Sequence, residues 1–436
     1  MNFLIMAGQL ILGLSILVLI HEAGHFLAAR MFGIRVDKFY LFFDAWGWSL
    51  FKFKKGDTEY GIGWLPLGGY CKIAGMVDES MDKEQMKQAP QKYEYRSKPA
   101  WQRLIVIAAG VVLNLITGIV IFALLIFNQE KAYLSNEEVN KVGIYASSLA
   151  RDLGFENGDR ILSVNGKEIE RFKDAQGFSV IFGSDITVDR HGEKKTIQVP
   201  KNAYKKLTNI GMRIFEPYYY PLIIDTVIPN LPAAKAGLDK GDRIIGLDSV
   251  TIKSFGDFRE GIVNAKNKKV NITFLRNKDT LTRLVLIDST GYVGLLASSP
   301  YNFKPYTFIN SFYYGSKDAF EMISANAKGL GKIFTGEEKA SESVQGPIGI
   351  ASIYGNEWIW SRFWYITAMI SLILAFMNIL PIPGLDGGHI MFTLYEIITR
   401  HKPSDKFLEY SQMVGMFLLM ALMVFAVGND LFRLFK

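Results

Sequence analysis

With 436 residues the chain exceeds what one hydrophobic core usually serves, so several folding units are expected. An apolar fraction of 49% and a mean hydropathy of +0.15 are too high for an ordinary soluble chain and too low for a bundle wholly in lipid, so membrane and water-soluble parts alternate. The net charge of +7 arises from Lys and Arg gathered beside apolar runs, with no single basic stripe, which points to an anionic lipid bilayer as partner and to no nucleic acid. The single cysteine, Cys71, excludes an internal disulfide or a cysteine-based zinc site.

Four runs are long and apolar enough to cross a bilayer as helices, at about 20 residues each: residues 3–26, 104–127, 363–380 and 407–427. The first has no basic segment ahead of it and leads straight into a histidine motif, so it is expected to be retained and not cleaved as a signal. Arg30, Arg35 and Lys38 follow the first run, Lys98 and Arg103 precede the second, and Arg400, Lys402 and Lys406 precede the fourth. An excess of positive charge marks cytoplasmic loops, so the long stretch between the second and third runs is expected outside the cytoplasm, with both termini.

The first run ends in His21-Glu22-Ala23-Gly24-His25. Residues four apart share a helix face, so both imidazoles can reach one metal ion while Glu22 stands ready to take a proton from water. Only five histidines occur in the chain, and imidazole or carboxylate groups within an apolar helix are functional by default. After this helix, aromatic β-prone runs with Trp46, Trp48, Phe51 and Phe53, then Tyr60, Ile62 and Trp64, flank the turn Lys55-Gly56-Asp57. They are expected to form a membrane-associated, re-entrant hairpin.

Beyond the second run an internal repeat appears. Leu153-Gly154-Phe155-Glu156-Asn157-Gly158-Asp159-Arg160-Ile161 recurs as Ala236-Gly237-Leu238-Asp239-Lys240-Gly241-Asp242-Arg243-Ile244. Paired strands follow each copy, with a helix over 255–265 in the second. Residues 306–333 carry a mixed helical pattern suited to a membrane surface. The third run ends in Asn378-Ile379-Leu380-Pro381-Ile382-Pro383-Gly384-Leu385-Asp386-Gly387-Gly388-His389. Its prolines break the helix and free backbone groups, which is tolerable only in a cavity lined by protein or water. Asp386 and His389 are both competent ligands, and the charge rule brings this segment to the same face as His21 and His25.

The repeat, with its Gly-Leu-x-x-Gly-Asp-x-Ile pattern and the preceding Pro232-Ala233-Ala234-Lys235-Ala236, resembles bacterial PDZ domains, which accept an extended chain by β-addition. Together with the two metal motifs and Gly346-Pro347-Ile348-Gly349, it makes most of the chain similar to the site-2 proteases, in particular the RseP-like branch with tandem PDZ domains. The resemblance implies zinc held by His21, His25 and Asp386, Glu22 as general base, Asn378 near the substrate backbone, and His389 in support. It also implies single-pass membrane protein substrates, such as trimmed anti-sigma factors or remnant signal peptides, and residence in the bacterial inner membrane. The sequence departs from relatives in carrying Val111 and Val112 before Asn114, where Ala-Gly-Pro often precedes the asparagine, and in lacking Gly-x-Gly near Asp44. Asn114 is expected to bond between helices.

The expected architecture is thus a multi-pass α-helical membrane protein with four spans, two inserted extracytoplasmic PDZ-like α+β domains and a membrane-associated hairpin. Its segments are 1–127 with the first two spans, 128–210 and 211–297 as the PDZ-like pair, 298–362 as an amphipathic connection, and 363–436 with the last two spans. Two other readings stand beside the protease. A PDZ-bearing scaffold with an inactive metal site would have lost Glu22 or Asp386, and both are present. A metal-dependent transporter would show inverted membrane repeats, whereas the evident repeat is soluble.

Overall fold

The computed structural model describes residues 2–76, 89–177, 180, 183–201, 214–218, 221–287 and 291–435. Packing divides it into two units, Met1–Glu130 with Thr307–Lys436, and Lys131–Tyr306. In the first, α1 spans Asn2–Met31, α2 Ala100–Leu125, α3 Phe308–Phe334, α4 Pro347–Tyr354, α5 Trp360–Ile379, α6 Asp386–Thr399 and α7 Asp405–Leu434. Among the described residues, four stretches are long and apolar enough to cross a membrane: Phe3–Met31, Ala100–Glu130, Trp360–Ile379 and Lys406–Arg433. Each leaves large apolar side chains exposed, among them Leu19, Ile116, Tyr365 and Phe417, a surface suited to lipid.

The helix α2 is central, with α1, α3, α5 and α6 all packed on it. Small residues make this possible. A Cβ on Gly24 would fall 2.5 Å from the Ala109 carbonyl oxygen, one on Gly118 2.6 Å from Leu372, and one on Gly315 2.8 Å from the Ala123 nitrogen. In lipid, apolar surface gains little by leaving the solvent, so close backbone approach and its dispersion contacts hold helices together. Polar ties add direction. Arg103 Nη2 donates to Glu396 Oε1 at 2.5 Å between α2 and α6, and the Ser371 hydroxyl donates to the Asn114 carbonyl at 2.7 Å. Near the end of α7, the buried Asp430 carboxylate accepts from the N–H groups of Gly346, Ile348 and Gly349 at 2.9–3.0 Å, capping the N-terminus of α4.

Between α1 and α2 the expected hairpin is the outer half of a larger element. Strands β1 (Val36–Phe43), β2 (Ser49–Lys55), β3 (Thr58–Gly63) and β4 (Leu65–Ile73) form a four-stranded sheet in the order β2-β3-β1-β4. The turn at Gly56 joins β2 to β3, β1 lies parallel to β3, and β4 is the far edge, antiparallel to β1. Two further helices complete this unit. The broken end of the third span leads into the separate helix α6, since Gly387 and Gly388 let the turn before it fold onto its first turn: their Cβ atoms would fall 2.0 Å from Leu380 O and 2.7 Å from Ile382 O. Residues 306–333 form most of α3, which buries Ser311, Tyr314, Gly315, Ala319 and Met322 against the bundle.

The second unit contains the repeat, and its two halves agree atom by atom. In one, Arg190 Nε and Nη2 donate to Asp159 at 2.8 Å each and Nη2 also reaches Gly154 O at 2.7 Å. In the other, Arg276 makes the same pair of 2.8 Å bonds to Asp242 and reaches Gly237 O at 2.8 Å. Each buried aspartate also caps a loop, accepting from Glu156 N or Asp239 N. The Gly-Asp element therefore recurs because a buried carboxylate clamps the loop before one strand to an arginine on a later strand. The boundary expected at 210/211 lies outside the described residues, yet β7 (Phe215–Pro217) pairs with β6 (Ile144–Ala146) and buries Phe215 in the first core. That strand belongs to the first half. Likewise β8 (Phe303–Pro305) pairs with β5 (Ala132–Leu134) and closes the unit, so the connection expected from 298 begins after this pair. The halves are joined directly: the Tyr145 ring packs on Gly256 and its hydroxyl donates to Glu260 at 2.7 Å, and Arg259 donates to Glu216 at 2.6 Å.

Burial raises the Asp242 carboxyl, but bonds from Arg276 and Asp239 N–H and the nearby guanidinium charge outweigh it, leaving the pKa below the usual carboxylate value. A depressed folded-state pKa contributes stability above the unfolded value near 4, and that stability is lost as pH falls through the folded value. Arg276→Met should therefore speed amide exchange of the second half at pH 7. Below pH of about 4 the difference from the unaltered protein should shrink. A difference that grew on acidification would refute the clamp.

Candidate metal centre

The helix α1 presents His21 and His25 one turn apart, facing the first residue of α6, Asp386. His21 Nε2 and His25 Nε2 lie 3.2 Å apart, and they stand 3.2 Å and 3.4 Å from Asp386 Oδ2. Ligands about 2.0–2.1 Å from a tetrahedral ion are about 3.3 Å from one another, so this triangle has the edges of a zinc site with one position left open. Asp386 Oδ2 is buried and accepts no hydrogen bond, an arrangement that costs energy unless a cation satisfies it. Its place in the first turn of α6 adds the favourable end of a helix dipole. Among the described residues these are the three metal-capable donors that converge.

The other ring nitrogens are held. His25 Nδ1 lies 2.9 Å from the Val106 carbonyl oxygen, so it carries the proton and leaves Nε2 a lone pair. His21 Nδ1 faces the Asn114 carboxamide at 3.3 Å. With the carboxamide oxygen turned towards it, Nδ1–H donates to Oδ1, an atom otherwise buried without a partner, and Nε2 is again free to ligate. Asn114 thus does more than join helices. Gly110 is a further requirement that sequence reasoning missed: its Cβ would fall 2.5 Å from His25 Nε2 and 2.9 Å from His21 Cε1.

The triangle opens on a cavity of about 560 Å³ whose wall includes Glu22, Asn378, His389 and Gln412 together with Gly69, Tyr70 and Cys71 of β4. All five residues singled out from the sequence are therefore brought together: His21, His25 and Asp386 as the triangle, with Glu22 and Asn378 beside it. His389 lines the cavity outside the triangle. The strand β4 touches the chemistry itself, because the Cys71 N–H donates to the Glu22 carboxylate. It approaches α1 this closely because Gly69 has no side chain; a Cβ there would fall 2.7 Å from Val18 Cγ1 and from Tyr40 O.

Gly110→Val should push both imidazoles out of line. Elemental analysis of the purified variant is expected to find at least a ten-fold loss of zinc affinity, the scale seen when groups that orient ligands are disturbed. Full zinc occupancy would mean that the close approach of α1 and α2 does not set the ligand positions.

The sequence pattern of peptidase family M50 matches residues 9–422. A protein of Borreliella burgdorferi assigned as a zinc metalloprotease is 30% identical over 97% of each chain. The regulator of sigma-E protease RseP of Escherichia coli and the regulator of sigma E protease of Haemophilus influenzae are each 28% identical over the full length of both chains. Zinc suits the triangle, and the match runs through both segments that build it, so the chain belongs to peptidase family M50 and is a zinc metalloendopeptidase of the site-2 protease type.

Proposed function

We propose that this protein cleaves single-pass membrane proteins in their transmembrane segments, with His21, His25 and Asp386 holding zinc and Glu22 as general base. The observation that carries this reading is the convergence of a donor triangle, a carboxylate and a free strand edge on one cavity among apolar helices. Zinc in such a site supplies Lewis acidity, lowering the pKa of a water and polarising the scissile carbonyl. Glu22 takes the proton of the attacking water and passes it to the leaving amine, held in place by Cys71 N–H.

An intact transmembrane helix hides its carbonyls in internal hydrogen bonds, so the segment to be cut must unwind. The sheet gives it somewhere to go. An extended segment can pair with β4, whose outer edge has no strand beside it among the described residues and whose Gly69 and Tyr70 face the cavity. β2 lies at the opposite edge of the sheet from the site. Asn378, at the end of α5, is placed to bond the backbone of that segment.

Loop charge supports placing Lys131–Tyr306 outside the cytoplasm of an inner-membrane protein. Its halves resemble PDZ domains, and their direct contacts make them a bulky insert between the second and third spans. We propose that this insert acts as a size filter, admitting substrates whose external domain has been trimmed, such as anti-sigma factors or signal-peptide remnants. The named relatives regulate sigma E, which suits trimmed regulators as substrates.

Glu22→Gln should keep zinc and lose at least a thousand-fold in cleavage of a single-span test substrate, since an amide cannot take the proton. Asp386→Ala should lose both zinc and cleavage, and His389→Ala should keep most of its zinc. The reverse ranking of Asp386 and His389 in zinc content would reassign the third ligand.

Replacing residues 135–302 by a short flexible linker should allow an untrimmed substrate to be cut that the full protein spares. A shortened protein that binds zinc and cuts trimmed stubs, yet still spares the untrimmed substrate, would dispose of the filter.

A further inference from the structure

The helix α7 is almost wholly apolar and exposed, but among its described residues two polar side chains are buried, Gln412 at 4% and Asp430 at 3% exposure. Asp430 is satisfied by three backbone N–H groups. Gln412 makes no hydrogen bond to any described residue, although its carboxamide carries two donors and an acceptor and lies in the wall of the cavity that holds the donor triangle. A polar group that has no protein partner and opens on a cavity within an apolar span marks a functional position.

Its position is fixed. One turn further along α7, Gly415 meets the Pro383–Gly384 backbone so closely that a Cβ would fall 1.5 Å from Pro383 O. Residues three apart share a helix face, so this contact turns Gln412 towards the segment leading into Asp386. The unsatisfied group in the cavity is thus a carboxamide, which presents the same paired donor and acceptor as a peptide bond. Substrate backbone supplies that complement at each residue.

We infer that Gln412 is a substrate-binding residue: Oε1 accepts a backbone N–H, and Nε2 donates to a backbone carbonyl, of the extended segment being cut. This rests on the protease reading, and adds a contact from the fourth span to those of β4 and Asn378.

The test uses the full-length protein in lipid vesicles and a single-span peptide substrate. Gln412→Met keeps the length of the side chain and removes its polar atoms. It should retain full zinc content and lose about ten-fold in kcat/KM, the expected size for one buried hydrogen-bonded contact. A substrate series with single backbone N-methyl groups around the scissile bond should contain one position that slows the unaltered protein by a similar factor and slows Gln412→Met no further. Unchanged kcat/KM at full zinc, or equal N-methyl penalties in both proteins, would overturn the inference. Should Gln412→Met fail to hold zinc, the series on the unaltered protein still decides against it if no N-methyl group matters. Failure of the unaltered protein to cut the parent peptide would instead count against the protease reading.

Discussion

Everything in the membrane unit depends on how closely α1 can approach α2. A metal triangle with edges near 3.3 Å tolerates little displacement, and here it is drawn from side chains on one helix and a carboxylate on another. What brings them into register is an absence of side chain: Gly24 lies on the Ala109 carbonyl and Gly110 lies under both imidazoles. The same contact brings the Val106 carbonyl and Asn114 to the ring nitrogens that do not face the metal. Backbone contact and ligand orientation are thus one feature, because α2 supplies both the floor and the hydrogen bonds.

The second element of the site is a helix that stops. Asn378 closes α5, the proline-rich turn follows, and Asp386 opens α6. A continuous helix would have satisfied its own backbone and pointed an aspartate into lipid. Breaking it places the carboxylate at a helix N-terminus and exposes a polar wall to the cavity. The Arg103–Glu396 ion pair then ties the new helix to α2, so both halves of the metal site share one support.

Much of this was legible in the sequence, for identifiable reasons. His21 and His25 follow the period of a helix, and two prolines before Asp386 advertise a break that lipid would not tolerate. The repeat was visible because its Gly-Asp element carries a buried clamp whose partners recur in order, Asp159 with Arg190 and Asp242 with Arg276. Other features depend on partners far along the chain. The strands β1 and β4 have no local turn signal joining them, since their pairing spans the hairpin, and Gly387-Gly388 reads as a turn although it opens α6. Strand β7 lies with the first half because of Phe215, across the stretch 202–213. A lone glutamine in an apolar run gives no hint of direction until Gly415 is seen against Pro383.

The order of synthesis gives the Asp386 position a further meaning. The ribosome delivers α1 with His21, Glu22 and His25 first, then the sheet, then the whole Lys131–Tyr306 insert, and only near the end α6 and α7. On the proposed ligand set, a nascent chain in the membrane carries an incomplete metal site until α6 has been inserted. The Asp430 cap closes later still, joining the last helix to the start of α4. On the proposed reading, in which the substrates are membrane segments, chain order alone keeps the protease from its neighbours during its own biogenesis.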